Sequence, residues 1–272
     1  MKRVFSIVAS LLALAAGAQT KEGRVVYERT TQMANIRFGS SGGNLPPEIQ
    51  AQMDRMPKSR TDQYELLFTP QHSLYQFLPN ATADEGNNTF AGGGMVINMR
   101  MGGSETTYVD YASGKRVDQR EIFDKNYVVA DTITKLQWKL SDETKTILNF
   151  TAKKATATNI VTRPRVTMEN GEMKREMVTD TVPVVAWYTT EVPVATGPGF
   201  QGQLPGLMLE LDVNRGQNVT TAIEFSPKVA AAKIKEPKDG KHMTAAEFNT
   251  ERDKMMEEMR RNRGNGNVIR MN

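Results

Sequence analysis

The stretch Thr196–Leu211 reads TGPGFQGQLPGLMLEL, with two prolines and four glycines in its first eleven residues and an aliphatic run after them. Such a segment is either a loop that cradles a reacting group or a stiff corner between strands. The side chains decide: none from Gly197 to Leu207 is a nucleophile, an acid or a cation. Leu204-Pro205-Gly206-Leu207 predicts a type II turn, with proline fixing φ at the second position and glycine accepting positive φ at the third. Gly197-Pro198-Gly199 predicts a second bend upstream. The reading is a corner with an aliphatic lining that ends one strand and sets the register of the next.

Outward from this corner the chain reads in twos. In GLMLELDV, Leu207, Leu209, Leu211 and Val213 alternate with Met208, Glu210 and Asp212. In NVTTAIEF, Val219, Thr221, Ile223 and Phe225 alternate with Thr220, Ala222 and Glu224, and in KLQWKL Leu136, Trp138 and Leu140 share a face. This is the pattern of antiparallel strands with one face buried. Turns are expected at Ser113-Gly114, Ser141–Thr144 and Asn214–Gln217. Asn170-Gly171 predicts a two-residue hairpin turn, because both residues accept positive φ; Thr162–Val182 is then a hairpin extension. Residues 39–44 and 87–94, rich in Gly and Asn, read as loops.

Two helices are predicted. One covers PPEIQAQMDRM, residues 46–56, with Ile49, Met53 and Met56 on one face. The other opens at Thr244 with a capping box to Glu247 and a Met243–Phe248 staple, and carries Phe248, Met255, Met256 and Met259 as its apolar stripe. The fold expected is mainly β (a β-rich α+β chain): a curved antiparallel meander sheet or unclosed half-barrel, partly covered by short helices. Residues 19–259 form a single domain in this reading, and 260–272 a disordered basic tail.

Residues 1–18 read as a cleaved export signal: Lys2 and Arg3, an apolar run from Val4 to Ala16, then Ala16-Gly17-Ala18. The run is shorter than the roughly 20 residues a membrane span needs, and no transmembrane helix is expected. The chain has no cysteine, which excludes disulfides and thiol chemistry. Its net charge of +4 includes Lys2 and Arg3, and so small an excess gives no argument for nucleic acid.

The search for chemistry finds little. His72 and His242 stand in a turn-like and a loop-like context without partners at metal-ligand spacing. No Gly-x-Ser-x-Gly elbow occurs. Glu210, Asp212 and Glu224 fall on polar strand phases, the default being solvated residues, though a carboxylate pair stays open. Ala91–Val96, AGGGMV, lacks the lysine of a phosphate loop. Met95, Met99 and Met101 share one phase, and thioethers can hold Cu(I), yet methionine more often fills adaptable apolar space. No catalytic residue, metal or cofactor is assigned.

The segment AWYTTEVPVATGPGFQGQLPGLMLEL resembles the signature of the GLPGLI family of exported bacterial proteins. The resemblance is carried by Trp187-Tyr188, Val192-Pro193, Gly197-Pro198, Gly202 and Leu204–Leu207. Gln203 intervenes after Gly202, and Met208 stands where isoleucine is usual. A second block, from Phe123 to Thr156, agrees through Asp131, Trp138-Lys139 and Lys154-Ala155, with Ala152 where many members carry cysteine. The resemblance implies no established activity. By analogy it suggests the half-barrel of lipoprotein-localisation factors, which hold acyl chains. The expectation is a non-enzymatic protein of the periplasm or cell envelope, possible also as a secreted one, that holds a lipid, acyl chain or hydrophobic peptide. Trp138, Trp187, Tyr188, Leu204 and Leu207 are the candidate ligand-binding residues; Gly197, Pro198, Gly202, Pro205 and Gly206 form a structural signature turn. Two alternatives stay open: an assembly partner of an outer-membrane or secretion complex, docking through the hairpin and tail, and an enzyme built on the unassigned carboxylates.

Overall fold

A computed structural model describes residues 20–32, 57–79, 88–92, 95–99, 106–122, 125–169 and 172–264. The expected export signal, the helix over 46–56 and the loop over 39–44 lie outside the described residues. The chain is mainly β, with one long, open, curved sheet of 12 strands that does not close into a barrel. One side of the sheet is a meander of β1 (Gly23–Gln32), β2 (Ser59–Phe68), β3 (His72–Leu78), β6 (Thr106–Asp110), β7 (Lys115–Ile122) and β8 (Lys125–Thr132). The other side runs β9 (Lys139–Ile147), β10 (Phe150–Glu169), β11 (Glu172–Thr189), β12 (Leu207–Val213) and β13 (Asn218–Ser226). Antiparallel pairing of β1 with β13 joins the two meanders. β14 (Lys241–Thr244) adds a parallel edge to β8. β4 (Asn88–Gly92) and β5 (Met95–Met99) make a separate two-stranded sheet. The loop expected over 87–94 therefore contains a strand: Thr89 and Phe90 favour extended backbone, and only Gly93-Gly94 separates the paired ends Gly92 and Met95.

The hairpins at Gly114 and Asn214–Gly216 form where expected, with positive φ at Gly114, Asn214, Arg215 and Gly216. The turn expected at Ser141–Thr144 does not form. β9 continues past it with an irregularity in place of a reversal: its pairing with β10 passes from Lys153↔Thr144 to Ala155↔Leu140, and the chain turns back at Leu148-Asn149, both at positive φ. Leu136 and Trp138, expected on a strand, sit in the irregular segment 133–138. Gln203 takes the Leu136 amide in place of a neighbouring strand and the Trp138 indole as well: Leu136 N and Trp138 Nε1 donate to Gln203 Oε1 at 2.7 and 2.9 Å.

Two further register shifts, on β13 and β12, redistribute the alternating side chains. On β13 the pairing passes from Val26↔Glu224 to Tyr27↔Ala222, skipping Ile223. Thr220 and Ala222 are buried, Phe225 packs on the same core, and Ile223 is 43 % exposed; the apolar face expected from Val219 to Phe225 is split. On β12 the pairing passes from Trp187↔Glu210 to Tyr188↔Met208, skipping Leu209. Leu207 and Leu209 join Val25, Tyr27, Leu66 and Phe68 in one core cluster. Met208 and Leu211 join Ala155, Ala186, Tyr188 and Leu204 in another. β12 is thus buried on both faces where it starts.

The single described α-helix, α1 (Ala245–Gly264), begins with the expected capping box: Thr244 N donates to Glu247 Oε2 at 2.8 Å and Glu247 N to Thr244 Oγ1 at 3.2 Å. Phe248 meets the Tyr127 ring edge-on at 5.6 Å, and Met243 and Met255 pack beside it. The helix runs on to Gly264, into the stretch expected as tail. Glu257 pairs with Arg261 as read from the sequence.

Across the sheet, Asp118 on β7 is buried and accepts hydrogen bonds from Arg116, Arg120 and Thr107 at 2.8–2.9 Å. Burial alone would raise its pKa, but the two guanidinium groups and the threonine outweigh it, and the carboxyl sits below its ordinary 3.8. A depressed folded pKa means that this stabilisation is full above the unfolded value and lost as pH falls through the folded one. Asp118→Asn is expected to lower stability at neutral pH and to flatten its decline below about pH 4, read by urea unfolding at a series of pH values.

The Pro-Gly corner departs from its expected form. Gly206 has no positive φ; the positive values fall at Phe200 and Gly202. Gly206 N donates to the Leu204 carbonyl at 2.8 Å, a three-residue turn about Pro205 in place of the four-residue type II turn. Glycine is required by close approach: a Cβ at 206 would stand 2.0 Å from the Thr189 carbonyl oxygen. Gly206→Ala is expected to cost about 1–3 kcal/mol by overpacking. It should exceed the cost of Gly114→Ala, where φ is positive but nothing lies within 4 Å. Chemical unfolding of the two variants side by side measures the difference.

Candidate functional site

β11 and β12 are sheet neighbours, yet Thr190–Gly206 intervenes between them. The excursion is held by backbone bonds: Leu207 N to Val192 O at 3.1 Å, Met208 N to Thr196 O at 2.8 Å and Gly202 N to Ala195 O at 2.7 Å. Within VPVAT the period of two sorts the side chains. Val192 and Val194 enter the core, and Pro193 and Ala195 line a cleft, as does part of Val194.

That cleft, of about 580 Å³, lies where the excursion meets the turns of the first meander. Pro70, Tyr111–Gly114 and Thr132, Ile133 and Lys135 form its other walls. The turns are tied together by Tyr111 N to Gln71 O at 2.9 Å and Ile133 N to Gly114 O at 3.1 Å. Gly202 must be small here: a Cβ would touch Ile133 Cδ1 at 3.1 Å, and its φ is +76°. The Tyr111 ring packs on the core while its hydroxyl donates to Ser73 Oγ at 2.7 Å. Burial pushes the Tyr111 hydroxyl up to about 12, against the opposing pull of the Ser73 and Thr196 hydroxyls.

Chemically the lining is quiet. Among the described residues its walls hold no carboxylate and no imidazole, and Lys135, which lines it, is exposed. Among the described residues no group of three or more His, Asp or Glu is placed to hold a metal ion. His72 and His242, read as loop residues, both lie on strands. His72 Nδ1 is 2.9 Å from the Tyr108 hydroxyl and 3.9 Å from Asp110; His242 Nε2 is 3.2 Å from the Lys238 carbonyl. Glu210 pairs with Lys145 at 2.7 Å, Glu224 with Arg24 at 2.8 Å, and Asp212 accepts Gly216 N. The side chains of Met95 and Met99, and the whole of Met101, lie outside the described residues.

The five candidate ligand-binding residues do not line the cleft. Tyr188, Leu204 and Leu207 are core, at 3, 2 and 0 % exposure. Trp138 closes the second cluster from outside, edge-on to Phe200 at 6.1 Å. Trp187 lies beneath the Lys145 ammonium at 4.4 Å. Of the signature turn, Gly202 borders the cleft; Gly197 and Pro198 are buried, with Met208 Cβ 2.5 Å from where a Cβ on Gly197 would sit. Pro205 is exposed. Tyr111, Ile133 and Ala195 were beyond sequence reasoning, because three separate connections bring them together. The Val192/Val194 alternation was the one signal available for Pro193 and Ala195.

A family model described as "Protein of unknown function (Porph_ging)" matches residues 138–210, from Trp138 through the Pro-Gly excursion to Glu210. No curated protein matches the chain. Solved structures of PNGF-II, in C2 and P21 space groups, are similar at 15 % and 16 % identity with a TM-score of 0.47 each. The similarity covers 84 % and 85 % of this chain, which spans 32 % and 33 % of those chains.

Gln203, which lies in the excursion beside Gly202, latches the cleft wall. Besides accepting two N–H groups through Oε1, its Nε2 donates to the Thr134 carbonyl at 2.8 Å. Gln203→Ala removes all three bonds and is expected to cost about 1.5–3 kcal/mol. Amide exchange at Leu136 should accelerate more than exchange in β6 and β7.

Proposed function

We propose that this chain is a non-enzymatic binding protein of the bacterial cell envelope that seats an acyl chain in the cleft between the Pro-Gly excursion and the Tyr111–Gly114 turn. The cleft is the observation that carries the reading. Its volume is within the range of small-molecule sites, about 300–1,000 Å³. Pro70, Ile133, Pro193, Val194 and Ala195 give it apolar walls fixed to a buried core. Lys135 in the lining suits an anionic head group. The signal-like segment 1–18 supports export, and the family match to an uncharacterised group is compatible with it.

The test is displacement of an environment-sensitive fluorescent fatty acid by dodecanoate. The wild-type chain should bind saturably. Ala195→Phe, which fills the cleft, should weaken binding by about tenfold or more at unchanged melting temperature. Lys135→Glu should weaken dodecanoate and leave dodecanol unaffected. An absence of saturable binding, or equal binding by a folded Ala195→Phe variant, overturns the proposal.

A further inference from the structure

β1 sends Val25 and Tyr27 into the first core cluster, and the period of two puts Arg29 next on that side of the strand. A cation stands where the pattern calls for an apolar residue. Its guanidinium lies over the Tyr64 ring, 4.1 Å from the centroid. Tyr64 stacks in turn on Tyr75 at 5.1 Å and meets Phe77 edge-on at 5.7 Å. Arg29 Nε donates to Thr220 Oγ1 at 3.3 Å, Nη1 to the Tyr64 hydroxyl at 3.1 Å and Nη2 to the Tyr75 hydroxyl at 3.2 Å. Three of the five guanidinium N–H groups are thus held, and one on each terminal nitrogen remains.

Every one of these acceptors is neutral, which sets Arg29 apart. Arg24, Arg60, Arg116 and Arg120, half-buried like it, each hold a carboxylate at 2.5–2.9 Å. Asp62 is the cross-strand partner of Arg29, but its Oδ1 is taken by Arg60, through Nε at 2.9 Å and Nη2 at 2.8 Å. Among the described residues no carboxylate pairs with Arg29. Arg29, Arg60 and Asp62 together leave one positive charge unmatched. A half-desolvated guanidinium met only by hydroxyls and a ring face is costly to hold.

We propose that Arg29 anchors an anion site, separate from the cleft, that takes an organic monocarboxylate on its two remaining N–H groups. Two carboxylate oxygens match two donors, and one negative charge matches the excess. A doubly charged phosphate exceeds what a single unmatched cation neutralises. The Tyr64 face and the three hydroxyls fix the plane of the guanidinium before the anion arrives. Phe77, half-buried beside Tyr64, supplies apolar surface for the group that bears the carboxylate. Tyr64 stands about 20 Å along the chain from Pro70 of the cleft wall, so Lys135 takes no part.

Isothermal titration of the full chain with benzoate, and with benzamide as its neutral isostere, tests the site. Benzoate should bind saturably at one site and benzamide should not. Arg29→Lys keeps the charge and loses the planar fork, and should weaken benzoate by about tenfold. Asp62→Asn removes the nearby negative charge and frees Arg60, and should tighten benzoate by about threefold. Ala195→Phe, in the cleft, should leave benzoate binding unchanged. Absence of saturable benzoate binding, equal binding of benzamide, indifference to both Arg29→Lys and Asp62→Asn, or tighter binding of inorganic phosphate overturns the proposal. So does loss of benzoate binding in Ala195→Phe, which would assign the anion to the cleft.

Discussion

The contact between Gly206 and the Thr189 carbonyl is the constraint on which the rest depends. A 17-residue excursion leaves β11 and must return to it as β12, and it can close only where two backbones touch with no side chain between them. That closure puts Leu207 and Met208 into hydrogen bonds with Val192 and Thr196. Those bonds in turn decide which of Leu207, Met208 and Leu209 enters which cluster. The corner is therefore more than a bend. It crosses the sheet and ties the second meander to the turns of the first, through Val194, Gly202 and the side chain of Gln203.

The same closure explains why β12 begins buried on both faces. A strand with one wet face would leave the excursion lying over polar side chains. Here Met208 fills the space beneath Gly197, and Leu207 and Leu209 fill the space beside Tyr27, whose hydroxyl donates to the Met208 carbonyl at 2.6 Å. Methionine suits a position that must fit a backbone instead of another aliphatic side chain.

Much of the fold was legible because its signals are local. The hairpins at Gly114 and Asn214–Gly216 follow from positive-φ chemistry, and the start of α1 from the Thr244–Glu247 reciprocity. The misreadings share one cause: long-range partners override local pattern. A bulge opposite Tyr27 exchanges the faces of β13, which no alternation within NVTTAIEF reveals. Gln203, 65 residues from Trp138, takes the Leu136 amide, and the segment 133–138 is irregular. Gly206 was identified as indispensable for a dihedral reason, whereas a carbonyl 17 residues earlier is what requires it. The cleft was the least legible element, since its walls come from residues 70, 111–114, 132–135 and 193–202, and their convergence is a property of strand order.

Strand order carries a further consequence. β1 pairs with β13, so Tyr27 finds Ala222 across 195 positions of chain. During vectorial synthesis β1 can zip to β2 as soon as both emerge, but its other flank stays bare until nearly the whole polypeptide has been made. The central seam is thus among the last to knit, a slow, high-contact-order event. Until then β1 keeps one flank bare, so the order in which strands emerge leaves the middle of the sheet to be completed from both sides at the end.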